Sequence, residues 1–263
     1  MKALKTGIAG LDEFLLGGLP PKIILLTGSP GSGNEVFAKQ VLFNRVQMCP
    51  VSYFTVNASA ESIREDMAAY GWNIVPFEED ETWKFKSLKD TTASDLLSLV
   101  LGEMEQSRTV VIDSISELLL VHKTQEIADL LTSMTHQNRK SLNYHLLLLT
   151  EGMQDAQAEA TMNHFAEGSI NFALNWSADM TMRHLIIRKM SGTIIPTRRL
   201  TYTLGRKGKT GNREHDSQQA DQCRSASSGN QPAVGTVQFI DPDRLFPRKH
   251  HIAGNHSGVD HQK

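Results

Sequence analysis

Cysteine is almost absent: Cys49 and Cys223 are the only two in 263 residues, and they stand in regions of very different composition. That argues against a disulfide framework and for reduced thiols. An excess of one charge is missing as well. The formal net charge is −2, from 27 Lys and Arg against 29 Asp and Glu, too little to capture nucleic acid or an acidic membrane by electrostatics alone. Long hydrophobic runs are lacking. The strongest, around Ile23 and Leu146, are strand-length and far short of a membrane span. Met1 to Gly7 contain no apolar core of a signal peptide, so the expectation is a soluble, cytoplasmic protein with no membrane partner. No Ser-His-Asp, Cys-His or metal-ligand constellation has an interpretable spacing, and no internal repeat is visible.

What is present is an ordinary globular composition, 40% hydrophobic and 21% charged, long enough for one sizeable core. It is organised around Lys22–Phe37, KIILLTGSPGSGNEVF. An apolar run, Ile23 to Leu26, turns through Gly28-Ser29-Pro30-Gly31-Ser32-Gly33 and enters a helical pattern at Val36. Strand, glycine loop and helix are the context of a P-loop, in which backbone N–H groups and the helix dipole face one anion. The motif G-x-x-x-x-G-K-[ST] departs at its last two places. Asn34 stands where the lysine belongs, and Glu35 where the Mg²⁺-binding hydroxyl belongs.

Along the chain, Leu11, Phe14 and Leu15 have short helical spacing. After the loop the helix runs toward Met48 and stops at Pro50. Val51–Val56 reads as a strand, Ala60–Tyr70 as a helix capped by Ser59, and Trp83–Leu88 as a strand. A helix starts at Ser94 with Leu96, Leu97, Val100, Leu101 and Met104 on one face. Thr109–Ile112 is a strand ending in Asp113, Thr124–Leu142 is helical, and His145–Leu149 reads as a central parallel strand. Ala156–Phe165 is a short helix. Ser169–Leu174, Thr181–Lys189 and Arg198–Leu204 are strands, the last two an antiparallel edge joined through Ser191-Gly192 and Pro196. The fold class expected is α/β: a mostly parallel sheet with helices on both faces and a C-terminal antiparallel extension. One domain is expected over 1–207. Residues 208–263 are rich in Ser, Gln, Gly, Asp, Asn and His and read as a disordered tail, with Val234–Ile240 as a lone strand or docking motif for a protein partner.

The order of these pieces resembles the KaiC-like branch of RecA-superfamily ATPases, which includes archaeal KaiC-related and RadA-related proteins. The resemblance is carried by Thr6-Gly7-Ile8 with Gly10-Leu11-Asp12, by Gly18-Leu19-Pro20, and by the glycine loop. It continues in Val110-Val111-Ile112-Asp113-Ser114, which looks like a Walker B strand. Arg188-Lys189-Met190-Ser191-Gly192 looks like the family's late KMRG segment. The resemblance implies a RecA-like P-loop fold, ATP and Mg²⁺ as ligands, and self-association or association with related RecA-fold subunits. It places the ATP contacts at Gly28, Ser29, Pro30, Gly31, Ser32, Gly33, Asn34 and Glu35, a metal role at Asp113, and a contact to a neighbouring subunit's nucleotide at Lys189. It also exposes departures. The positions of the family's water-activating glutamates are held by Asn57 and Ala58, neither of which accepts a proton, and Ser191 occupies an arginine place.

Phosphoryl transfer is mainly positioning and electrostatic stabilisation. Replacing the loop lysine by Asn34 removes a charge-assisted bond of about 1.5–3 kcal/mol, roughly ten- to hundredfold in affinity. Glu35 has two readings: a Mg²⁺ ligand through its carboxylate, or a first-turn acid that favours the helix dipole by about 0.3–1 kcal/mol and pairs with Lys39. Asp113 is open between holding a Mg²⁺-bound water and accepting hydrogen bonds at a strand end. Lys189 is open between a trans nucleotide contact and a solvated lysine. The expectation is therefore a regulatory or assembly subunit that binds ATP weakly and hydrolyses it little. The alternatives are a slow ATPase with Glu35 and Asp113 on Mg²⁺, an interaction module with an empty loop, and a recombination-type DNA-binding accessory. For the last, Arg183, Arg188, Lys189, Arg198 and Arg199 supply a basic strand pair. Against it, the segment Glu151–Glu167 contains no lysine or arginine, which disfavours nucleic acid as partner. Trp72, Trp83 and Trp176 read as packing residues, and His250, His251, His256 and His261 as incidental tail composition.

Overall fold

The computed structural model describes residues 3–8, 10–177, 180–192, 199–205 and 237–240. The order is α1 (Leu11–Phe14), β1 (Ile23–Gly28), α2 (Asn34–Val46), β2 (Val51–Thr55), α3 (Ala60–Ala69), α4 (Val75–Glu79), β3 (Trp83–Ser87), α5 (Ala93–Glu105) and β4 (Thr109–Asp113). It continues with α6 (Ile115–Val121), α7 (Thr124–Ser141), β5 (His145–Thr150), α8 (Ala156–Phe165), β6 (Gly168–Ser177), β7 (Met180–Met190), β8 (Leu200–Leu204) and β9 (Val237–Ile240). Among the described residues the strands form one nine-stranded sheet, β3-β2-β4-β5-β1-β6-β7-β8-β9. Pairing is parallel from β3 to β6 and antiparallel from β6 to β9. The expected α/β architecture with an antiparallel C-terminal extension is thus present.

Alternation along β1 explains its unbroken apolar run. Ile24 and Leu26 join one core with α2 and α3, built around Phe37, Val41, Tyr53, Trp72 and Phe172. Ile23 and Leu25 join a second core on the opposite face, with α5, α6 and α7 packed through Val100, Met104, Leu118, Ile127 and Leu131. A central parallel strand covered on both faces has no position left for polar alternation.

Several boundaries differ from expectation for local reasons. The α2 helix begins at Asn34, ahead of its first apolar residue, because the glycine loop delivers the chain directly into the first turn. Thr92, not a residue nearer Ser94, caps α5 by accepting from Asp95 N. The β6–β7 hairpin runs past the end of β1: Gly28 pairs with Phe172, while β6 continues to Ser177. Trp176 therefore stands on a projecting ribbon and is 78% exposed, which corrects its expected packing role, whereas Trp72 and Trp83 are buried. Of residues 208–263 the structure describes Val237–Ile240, which pairs with β8 as β9. Pro196, Arg198 and the tail histidines lie outside the described residues. Among those described, no helix is long and apolar enough to cross a membrane.

Candidate nucleotide site

Parallel pairing places the carboxyl ends of the central strands on one edge. Gly28 lies opposite Thr150 across β1 and β5, and Thr55 opposite Asp113 across β2 and β4. The glycine loop, Asn57 and Ala58 beyond β2, Asp113 at the end of β4, and Glu151 beyond β5 all leave the sheet on that side. Open α/β sheets bind their ligands there.

The loop is tight and braced from the antiparallel extension. A Cβ on Gly28 would stand 2.3 Å from Ser32 Oγ and 3.0 Å from the Phe172 carbonyl oxygen. Gly33 has φ +90°, and a Cβ there would meet Leu204 at 2.6 Å. Ser32 N donates to Ser29 O at 3.0 Å. The buried Tyr202 hydroxyl donates to the Ser32 carbonyl, and the Tyr202 ring meets Phe172 edge-on at 5.8 Å between centroids. Arg183 of β7 donates through Nε and Nη2 to the Gly31 carbonyl at 3.3 and 3.2 Å. These contacts hold the loop by its carbonyls, and the N-cap of α2, Gly33, offers no side chain to cap the first amides. By contrast Ser59, Thr92, Ser114 and Asp155 cap α3, α5, α6 and α8 with side-chain oxygens. An uncapped first turn behind a glycine loop fits a phosphate group.

The side chains at the two departing positions behave differently. Asn34 is only 7% exposed. Its amide donates to Leu26 O at 3.3 Å and its carbonyl oxygen accepts from Ser32 Oγ at 3.5 Å, so it is turned down into the base of the loop. Glu35 is half-buried. The pair expected with Lys39 is not the one formed: Lys39 Nζ lies 3.1 Å from Asp66 Oδ2 of α3. Packing of α3 beside α2 offers the lysine a carboxylate across the groove, which replaces the i,i+4 partner.

Asp113 accepts a hydrogen bond at its strand end, and the donor is the Tyr53 hydroxyl of β2 at 2.6 Å. Burial pushes the Asp113 carboxyl above its ordinary range, against the opposing pull of the Tyr53 bond and the Lys39 charge. Burial first, then the Asp113 charge, raise the Tyr53 phenol well above its ordinary value, and Glu35 and Asp66 act in the same direction. Glu35, Asp113, Lys39 and Asp66 thus share one electrostatic neighbourhood around Tyr53. Among the described residues, no group of three or more His, Cys, Asp or Glu is arranged to hold a metal ion. A Mg²⁺ ion held by one or two carboxylates and substrate phosphates needs no such group; the residues that would hold one are Asp113 alone, or Asp113 with Glu35.

Asn57 and Ala58 follow β2 and are exposed. Lys189 is set elsewhere. Its Nζ donates to the carbonyls of Asn163, His164 and Ala166 at 3.2, 2.8 and 2.6 Å, closing the C-terminus of α8. Two groups at the carboxyl edge escape sequence reasoning. Glu151 Oε1 accepts from Asn171 Nδ2 at 2.6 Å, and its N–H donates to Gly28 O at 3.0 Å. Arg183 reaches the loop from 152 positions away in sequence. A carboxylate just after a buried strand signals the first; nothing local signals the second.

A parallel sheet with a glycine loop and uncapped helix at its carboxyl edge, and an acid at the end of a neighbouring strand, defines a P-loop nucleotide-binding fold. Comparison with known proteins narrows this. The family model described as "ATPase: KaiC" matches residues 4–210, and the chain belongs to that family. It is 29% identical over 234 residues to a UPF0273 protein of Thermotoga maritima, covering 79% of this chain and 95% of that protein. A UPF0273 protein of Aeropyrum pernix is 29% identical over 230 residues, covering 78% and 91%. The solved structure of a KaiC-like protein from Pyrococcus horikoshii superposes with a TM-score of 0.66 at 23% identity, over 78% of this chain and 95% of that one, which supports the fold.

Proposed function

We propose that this KaiC-family protein is a regulatory or assembly subunit that binds ATP weakly at residues 28–35 and hydrolyses it little. The observation that carries the reading is the state of Asn34. It stands at the motif's lysine position, is buried, and is bonded to the backbone of β1. It neither carries nor presents a charge to a polyphosphate. The neutral, exposed Asn57 and Ala58 at the end of β2 support the second half, since neither side chain can take a proton from an attacking water. Backbone N–H groups of the loop and the first turn of α2 would hold phosphate; Asp113 would hold Mg²⁺, which supplies charge neutralisation when bound. Calorimetry with ATP–Mg²⁺ on contaminant-free protein is expected to show weak binding with negligible phosphate release. Asn34→Lys/Glu35→Thr is expected to tighten binding at least tenfold. Turnover at the rate of an ordinary P-loop ATPase would overturn the proposal.

A slow ATPase with Glu35 and Asp113 on Mg²⁺ is the second reading, favoured by the placement of both carboxylates at the carboxyl edge of the sheet, one in the first turn of α2 and one at the end of β4. On that reading Glu35→Gln abolishes Mg²⁺-dependent turnover, and unchanged turnover removes it.

A further inference from the structure

Among the described residues Arg183 is a cation without an acidic partner, in a place where the motif's own cation is missing. It projects from β7 on the face that carries the loop: its register partners are Leu174 on β6 and Tyr202 on β8, and Tyr202 bonds the Ser32 carbonyl. Among the described residues Arg183 forms no ion pair, while Lys39, the cation one turn further along α2 from Glu35, is neutralised by Asp66. Two of the guanidinium's five N–H groups serve Gly31 O, which leaves donors for another acceptor. The side chain is only half-buried, and among the described residues nothing lies within 4 Å of a Cβ built on Gly31. An anion on the loop amides would therefore meet a fixed guanidinium across a single peptide unit. Guanidinium forks suit phosphate oxygens better than an ammonium does.

We propose that Arg183 supplies, from the antiparallel extension, the positive charge that residue 34 does not, and so makes the loop a receptor for a polyphosphate. The inference rests on the reading of residues 28–35 as a phosphate site and adds the group that recognises the ligand. The same guanidinium sets the loop's position through Gly31, so charge and placement come from one side chain. Tyr202 registers that charge: burial dominates the upward shift of its phenol, and Arg183 opposes it while Glu35 adds to it.

The test is calorimetric titration with inorganic triphosphate and with ATP–Mg²⁺ of the wild type, Arg183→Gln, Arg183→Lys and Asn34→Lys/Arg183→Gln, with melting temperatures recorded for each. Arg183→Gln is expected to weaken binding about ten- to hundredfold, the loss of one charge-assisted contact. Arg183→Lys is expected to keep part of the affinity, and Asn34→Lys/Arg183→Gln to restore it by returning the charge to the motif position. Wild-type binding that Arg183→Gln leaves unchanged overturns the role of Arg183 while the phosphate site stands. Binding lost in Arg183→Gln, with a lowered melting temperature and no recovery in the double variant, overturns it too, since a mere brace for the loop is not replaced by a charge at 34. A wild type that binds neither ligand overturns both this inference and the nucleotide reading beneath it.

Discussion

Buried polar side chains set the chemistry of this protein residue by residue, and His145 shows the sign most clearly. Its Nδ1 accepts from Val110 N at 3.1 Å. That fixes the proton on Nε2, which faces Asn138 Oδ1 at 3.1 Å. Burial, with help from Arg45, pulls its pKa down from 6.5 to about 3. A base with a lowered folded-state pKa contributes stability that is complete above its unfolded pKa and is lost as pH falls toward the folded one. Stability is thus expected to decline by up to about 1.4 kcal/mol per pH unit between about pH 6.5 and pH 3 from this residue alone. Urea unfolding at pH 7 and pH 5 checks it, and His145→Gln should flatten the difference. At the candidate site the corresponding residue is Tyr53. Tyr53→Phe removes the donor that opposes the burial of Asp113, so the Asp113 carboxyl should titrate at higher pH than in the wild type, as carboxyl NMR resonances would reveal. The identities of residues 34, 35, 57 and 58 are legible in sequence. The fate of the side chains is not: Asn34 turning to Leu26 O, Lys39 choosing Asp66 and Arg183 reaching Gly31 are all decided by packing between elements distant in sequence.

Elements were legible in proportion to their period. The central strands β1 and β5 announce themselves as continuous apolar runs, and α7 and α8 as helices with the bounds expected to within a residue. Two short helices escaped. The five residues of α4 contain Pro76 and bury no side chain fully, so no apolar stripe marks them. The α6 helix follows Asp113 after a single residue, Ser114, which caps it by accepting from Glu117 N, and its Leu118–Val121 run shows no helical spacing. Lys189 belongs to this scale, because it terminates α8 through three carbonyls. Lys189→Met should lower stability by about 1.5–3 kcal/mol, the worth of hydrogen bonds to a charged donor, measured by denaturant unfolding of the purified protein. A lysine engaged solely with a neighbour's nucleotide would leave that stability unchanged.

For the molecule as a whole, β9 is the outermost described strand on the antiparallel side of the sheet. Thr201 to Leu204 pair with Val237 to Ile240, Val237 N donates to Gln40 Oε1 of α2 at 2.9 Å, and Phe239 lies 6.1 Å from Tyr202 between ring centroids. A chain ending at residue 205 would leave β8 as an open edge and bare the rings beneath it. Such edges template association. The truncated protein is expected to melt several degrees lower and to scatter light on warming, and equal melting of the two forms would show that β9 contributes nothing. Because the strand that shores up Tyr202 is translated some two hundred positions after the glycines it ultimately supports, the glycine-loop end of the molecule cannot be completed early in synthesis. Its nascent half must wait, with an unfinished flank, until β9 has been made.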